Sequence, residues 1–312
     1  MFGFGQSVFN PEEDIPDLSG KVILVTGGNS GLGEASVLQF AKHNPQTIYL
    51  ATRSKEKAQE AIVRIQNAVP SAKIIFLPLD LASLRSVREA ANIVNTSSSR
   101  LDILMNNAGI MAVPAATTED GYEVQFGTNH MGHALLTKLL LPKLQATAKE
   151  PGANVRVVTV SSGGHLWGAE GGIAFGDLRS DMHSTSTLTR YGQSKLANIL
   201  FANELSRRYP EICSVSIHPG MVDTGLGRGL VASFWWMKLP LYFIAKVFTT
   251  TPAQGALNQL WAATSENTKT GKYYAPVGKE DPGSPHAQDK ELGIKLWDWT
   301  EKELDQFLAG KK

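Results

Sequence analysis

The sequence predicts an α/β fold with a single doubly wound parallel sheet flanked by helices. Three observations carry that expectation. From Lys21 onward, short runs rich in β-branched and apolar residues alternate with longer stretches of helical periodicity, the pattern of successive βαβ units. The short runs are apolar nearly throughout, as suits strands covered by helices on both faces. The first of them leads directly into a glycine-rich turn, "TGGNSGLG", that opens a helix.

Taken in order, residues 1–20 form an N-terminal arm with no basic leader and no long apolar stretch, so it does not read as a secretory signal; Phe2, Phe4 and Phe9 are expected to pin it to the domain. Residues 21–312 then form one domain. "KVILVT", "TIYLAT", "KIIFLPL", "LDILMN", "VRVVTV" and "CSVSIH" are the strand candidates. The first helix runs from Gly31 to about His43, with Gly33, Val37, Phe40 and Ala41 on one face to meet the sheet, and it stops at "NP". Two long irregular stretches, Gly163–Arg190 and Gly225–Thr251, flank an apolar helix in sequence, and loops of such length are uncommon unless functional. The second is rich in large apolar side chains (Phe234, Trp235, Trp236, Leu239, Tyr242 and Phe243) and reads as a substrate lid, with core packing or membrane contact as the alternatives. Its neighbourhood, Gly229–Phe248, is broken by Lys238, Pro240 and Lys246, so it is not expected to cross a bilayer; peripheral membrane contact stays open. The chain closes, over residues 280–312, with a polar turn and a last helix whose start is signalled by Thr300 with Glu303 three residues on, a capping box.

Composition narrows the function. With 312 residues, 42% of them hydrophobic, the chain can bury a large core. A formal net charge of +1 with interspersed charges gives no footprint for nucleic acid, so specificity must come from a small-molecule site. The single cysteine, Cys213, excludes an intrachain disulfide, reads as a small buried side chain, and suits a reducing, cytoplasmic setting.

Two motifs carry chemistry. Glycines at a strand-to-helix turn let the backbone approach a pyrophosphate, which then lies at the positive end of the helix; here the spacing is T-G-x-x-x-G-x-G. In "RYGQSKLANIL", Tyr191 and Lys195 stand four positions apart, and on a helix that spacing puts phenol and ammonium on one face. Taken alone the pair could merely decorate a surface.

With both motifs in one chain, the sequence resembles the short-chain dehydrogenase/reductase family over roughly Lys21–Thr224. "LDLASL", "NNAG", "TNHMGH", "VTVSS" and "HPGMVDT" match further family segments, and "DGYEVQFGTNHMGHALLT" and "YGQSKLANILF" look like the branch with retinol-dehydrogenase-like and protochlorophyllide-reductase-like enzymes. The resemblance implies a Rossmann-type fold, a nicotinamide cofactor and a catalytic set of Asn129, Ser162, Tyr191 and Lys195. It further implies cofactor contacts from Gly27, Asn29, Ser30, Gly31, Leu32, Gly33, Thr52, Arg53, Asp80, Leu81, Asn107, Ala108, Gly109, Tyr191, Lys195, Pro219, Gly220, Val222 and Thr224. Substrate contacts are expected from Ser162, His165, Tyr191, Trp235 and Trp236. The family includes dimers built on long central helices and also monomers, so a monomer or a homodimer is expected.

The chemistry fits these residue types. A ketone that receives hydride becomes an alkoxide, so a proton donor must stand beside the oxygen. Tyr191 is the candidate donor, and a lysine about 4 Å away at an effective dielectric of about 20, an interaction of about 4 kcal/mol, is expected to pull the phenol below its usual value near 10. By resemblance Lys195 also holds the nicotinamide ribose, Ser162 bonds the carbonyl oxygen, and Asn129 holds a water that relays protons to Lys195. The second strand ends in "YLATRSKEK", with Thr52 and Arg53 where an acid would select NAD, so NADP(H) is expected. The expected activity is reduction of a carbonyl of a fairly apolar small molecule, or oxidation of the alcohol. The alternative is a non-catalytic NADP(H)-binding sensor or scaffold, while the loop spacing argues against a nucleotide-sugar epimerase. His130 and His133 have no third metal ligand nearby in sequence, so no metal is expected, and His218 reads as structural.

Overall fold

Strands β1 (Val22–Thr26), β2 (Thr47–Thr52), β3 (Ile74–Pro78), β4 (Ile103–Asn106), β5 (Arg156–Val160) and β6 (Cys213–Ile217) pair in parallel in the order β3-β2-β1-β4-β5-β6. Two short strands, β7 (Tyr273–Tyr274), parallel to β6, and β8 (Glu280–Asp281), antiparallel to β7, complete the eight-stranded sheet. This computed structural model describes residues 9–222 and 250–310. Thr224 and the aromatic residues Phe234, Trp235, Trp236, Tyr242 and Phe243, with Leu239, lie outside the described residues.

Alternate strand residues feed two apolar layers, and this is why the strands read as continuously apolar. Leu24, Tyr49 and Leu104 point to one side, where α4 (Leu84–Ser97), α6 (Gly132–Ala148), α7 (Thr187–Arg208) and α9 (Lys290–Leu308) cover them. Ile23, Val25, Ile48 and Leu50 point to the other, toward α2 (Gly31–Ala41), α3 (Lys55–Ala68) and α8 (Pro252–Thr264). The face of α2 expected from the sequence is the buried one: Gly33, Val37, Phe40 and Ala41 are all inside. Phe9, Ile15 and Leu18, which bracket the short helix α1 (Pro11–Asp14), join the second layer and hold the arm there.

Two expectations need correction. The edge strand β3 is only partly covered: Leu77 is buried in the first layer, Ile74 and Phe76 are half-buried against the second, and Ile75 is 45% exposed, because among the described residues no further strand pairs beyond it. Thr300 does not begin the last helix: α9 starts at Lys290, capped by the Asp289 carboxylate on the Leu292 N–H, and the amphipathic run before Thr300 carries the helix straight through the apparent box. Thr300 is instead buried, with its hydroxyl 3.0 Å from His130 Nε2, while Glu303 pairs with Arg179. The helix bearing Asn129 is not continuous either. After the single turn α5 (Val124–Phe126), residues Gly127–Met131 form a π turn before α6, the kind of local widening often found at functional positions. Among the described residues no helix is long and apolar enough to cross a membrane.

The base of the sheet is fixed by a buried carboxylate. Asp102, with no exposed surface, accepts from the Val22 N–H at 2.9 Å and from Arg100 at 2.6 and 2.8 Å, with Lys21 3.3 Å away. Burial pushes its carboxyl up, but Arg100 and the Val22 N–H outweigh it and hold it below the usual 3.8. Asp102→Ala should therefore destabilise the fold by about 3–5 kcal/mol, measured by urea unfolding at pH 7, with a smaller loss for Asp102→Asn. Because the folded value lies below the unfolded one, the wild-type advantage should be complete above about pH 5 and fade as pH falls through and below 4.

Candidate active site

The strand order reverses between β1 and β4, whose following helices leave on opposite faces, and a crevice opens beyond the carboxyl ends of those strands. Thr26 and Asn107 lace its two lips together. The Thr26 hydroxyl accepts the backbone N–H of Asn107 and of Ala108, each at 2.9 Å, and the Asn107 amide donates to Thr26 O at 2.7 Å. With both of its lone pairs occupied, the hydroxyl donates its own proton to His133 Nε2 at 2.8 Å, so His133 carries its proton on Nδ1 and gives it to Asn129 O. Burial agrees, pushing His133 down to about 4 and keeping it neutral.

The glycine turn forms one wall. Gly27 and Gly31 have φ of 67° and 56°, which favours glycine, and a Cβ on Gly33 would lie 2.2 Å from Gly27 O. Ser30 stands at the start of α2 with no side-chain bond to its first amides, and Ser30 through Gly33 line the crevice. The crevice holds about 470 Å³ and is lined by Gly27, Asn29, Ser30, Gly31, Leu32, Gly33, Thr52, Arg53, Asp80, Leu81, Asn107, Ala108 and Gly109, all expected from the sequence. The expected contacts did not include Thr26, Ala51, Ser54, Lys57, Leu79, Ile110, Met111, Val113 and Thr128, which also line it. Lys57 was legible in principle, since "RSKEK" puts it one turn beyond Arg53. Glu56, a possible surface partner for Arg53, is instead bonded to Ser54. Tyr191, Lys195, Pro219, Gly220 and Val222 do not line this space.

Tyr191 and Lys195 sit on the first turns of α7, whose N-terminus is capped by Ser186. Both are nearly sealed, at 5% and 4% exposure. The Lys195 ammonium donates to Val160 O at 3.0 Å and lies 5.7 Å from the centre of the Tyr191 ring. The expectation that Lys195 would depress the phenol is not met here. Burial dominates both groups: it raises Tyr191, opposed in part by a hydrogen bond from Ser162, and lowers Lys195 to about 8. Helical spacing brings the pair together, and burial decides the direction in which each group shifts.

Ser162 lies two residues past the end of β5 and caps a 3-10 turn, Gly163–Trp167, by accepting the Gly164 N–H at 3.0 Å. That turn lies against the phenol: a Cβ on Gly164 would stand 2.8 Å from Tyr191 Cε1 and 3.2 Å from Trp167 Cε3. Trp167 and Leu166, 48% and 65% exposed on that turn, are apolar groups that the sequence reading did not single out.

His165, expected at the substrate mouth, is buried and fully bonded: Nδ1 donates to Ser162 O at 2.7 Å and Nε2 accepts the Ser284 N–H at 3.0 Å. It braces the Ser162 turn and presents nothing to a substrate. Asn129 braces as well. Its Oδ1 accepts the Ile110 N–H at 2.8 Å and its Nδ2 donates to Ile110 O and to Ser194 Oγ. Oδ1 nevertheless converges with Lys195, since a Cβ on Gly109 would lie 3.2 Å from one and 3.3 Å from the Lys195 Nζ. Among the described residues, no group of three or more His, Cys, Asp or Glu side chains could hold a metal ion.

Comparison with known proteins gives this arrangement its kin. The family described as short chain dehydrogenase matches residues 21–176. A short-chain dehydrogenase/reductase of Aspergillus calidoustus, drtF, is 38% identical over 93% of this chain and 95% of its own length, and retinol dehydrogenase 13 of Mus musculus is 39% identical over 90% and 82%. A crystal structure of an uncharacterized protein from Mycobacterium Paratuberculosis superposes with a TM-score of 0.73 at 32% identity, covering 94% of this chain and 96% of that one. With its glycine turn, its Tyr191–Lys195 helix and these relatives, the chain belongs to the short-chain dehydrogenase/reductase family, in its retinol-dehydrogenase-like branch.

Proposed function

We propose that this chain is an NADP(H)-dependent oxidoreductase that reduces a carbonyl of a fairly apolar small molecule, or oxidises the corresponding alcohol, with Tyr191 as the general acid and base. The observation that carries the reading is the burial of Tyr191 and Lys195 together, beside Ser162, next to a crevice with an open helix N-terminus. The crevice suits a dinucleotide. The first residues of α2 would hold a pyrophosphate on a turn whose tight packing needs glycine at Gly27 and Gly33, and Arg53 with Lys57 would offer two cations to a ribose phosphate. When bound, the cofactor supplies or accepts the hydride.

The protein's own part is proton management. A phenol raised by burial keeps its proton at neutral pH, the form needed when an alkoxide develops beside it. The Ser162 hydroxyl, which lies beside the phenol, would turn its one proton to the incoming oxygen, and Lys195, 5.7 Å from the centre of the Tyr191 ring, would hold the cofactor ribose. Asn129 Oδ1 and Lys195 Nζ share the spot beside Gly109, which is where a proton relay to Lys195 would start. Leu166 and Trp167, exposed on the turn that lies against the phenol, favour an apolar substrate body. A cytoplasmic setting, with or without contact to a membrane surface, belongs to the same reading.

Screening a carbonyl panel against NADPH absorbance tests the proposal as a whole. On a responsive substrate, Tyr191→Phe should lower kcat by roughly 10²–10⁴-fold while cofactor affinity holds; retention of more than about a tenth of the rate would remove Tyr191 from its role. In a cofactor titration NADPH should bind more tightly than NADH, and Arg53→Ala should weaken NADPH by about 10–150-fold with little change for NADH. Equal or tighter binding of NADH by the wild type would overturn the preference.

Lys195 also makes a prediction without turnover. Its folded value of about 8 lies below the unfolded 10.5, so the unfolded chain binds the extra proton across that window and stability rises with pH there. At pH 7 the buried charge is a net cost, on the order of 3 kcal/mol. Lys195→Met should therefore raise the cofactor-free melting temperature at pH 7, and the gain should shrink between pH 8 and 10.5. A gain independent of pH would show that packing, not charge burial, is responsible.

A further inference from the structure

The crevice floor continues past Gly109 into a turn, Ile110–Val113, whose backbone is held by side chains at almost every step. Asn129 takes both the N–H and the O of Ile110. Gln125, with no exposed surface, accepts the Ala112 N–H at 2.9 Å and donates to Thr187 O at 3.0 Å on the first turn of α7. Val113 O accepts from Thr187 Oγ1 at 2.9 Å and from Arg190 Nη2 at 3.2 Å. Arg190, adjacent to Tyr191, is in turn paired with Glu123 at 2.9 Å, the two side chains being 4% and 0% exposed, and the other Glu123 oxygen accepts the Phe126 N–H at 2.7 Å.

A buried ion pair of this kind is a poor source of stability, because desolvation of both charges offsets most of their attraction. Its geometry is informative instead. Glu123 and Gln125 lie at the start of the helical run that contains the π turn, Thr187 and Arg190 lie on the helix of Tyr191, and both sets converge on one four-residue turn. At the centre of that turn Ala112 has φ of 54°, a left-handed backbone that a residue with a Cβ adopts only when its surroundings impose it.

We infer that Gln125 and the Glu123–Arg190 pair are positioning residues, which force the Ile110–Val113 turn into its left-handed form and fasten it to the first turn of α7, so setting the gap between the cofactor floor and the Tyr191 phenol. The inference rests on the reading of the crevice as a cofactor site. Neither Gln125 nor Arg190 touches the reacting atoms; they act through the turn and the helix they join.

The clamp has a signature that a merely structural role lacks. In the wild-type protein without cofactor, the Ile110 and Ala112 amides should exchange with solvent as slowly as strand amides, although they lie in a loop; exchange at loop rates would overturn the inference. Gln125→Met, similar in volume, should speed exchange across 110–113 while the strands stay protected, and should weaken NADPH about tenfold. The double replacement Glu123→Met with Arg190→Met, which removes both charges together, should act in the same direction. Adding Ala112→Gly to Gln125→Met should restore NADPH affinity to within about threefold, because glycine holds the left-handed form without a clamp. Unchanged local exchange in Gln125→Met, or an affinity loss that Ala112→Gly leaves untouched, would refute the positioning role. Failure of the wild type to bind NADPH at all would instead sink the functional reading, and exchange would still report on the clamp.

Discussion

The parting of β1 from β4 is the constraint on which the rest of this molecule depends. Parallel strands whose helices leave to opposite faces cannot close their ends over one another, so a crevice is unavoidable there, and its lips must be tied without filling it. One hydroxyl does most of this. Thr26 gathers two amides from the far lip and passes its proton to His133, which hands its own to Asn129, whose side chain grips Ile110. The sheet, the π turn and the crevice floor thus form a single chain of directed bonds in which each partner has one permitted proton arrangement.

Dryness is the second theme. His130 is pushed by burial to about 3 and His133 to about 4, so both remain neutral, and the same desolvation raises the Tyr191 phenol and lowers the Lys195 ammonium. Water would level these differences. Starting from 10.0 and 10.5, the two groups are driven apart, the phenol upward and the ammonium down to about 8, so burial favours the neutral form of each.

Much of this was legible in the sequence where the signal is local. Strands buried on both sides are apolar at every position, the glycine turn stands directly after the first of them, and Tyr191 and Lys195 share a helix face by spacing alone. Information carried between distant segments was not legible. His165 looked free because its partner, the Ser284 N–H, is far along the chain, and Thr300 looked like a cap because nothing in its neighbourhood announces His130. The pairing of Glu123 with Arg190 and the left-handed Ala112 are invisible for the same reason. The direction of the phenol shift failed differently: charge proximity can be estimated from spacing, whereas burial is a property of the assembled fold.

The position of α9 bears on how such a chain comes into being. Synthesis proceeds from the N-terminus, so every residue lining the crevice, and the Tyr191 helix, leaves the ribosome before Ser284, Thr300, Glu303 and Asp305. Until those arrive, His165, His130, Arg179 and Lys138 lack the partners seen here, and Phe201 lacks the Trp297 ring that stacks on it at 5.2 Å. The nascent protein therefore carries a nearly complete cofactor crevice with an unsealed flank.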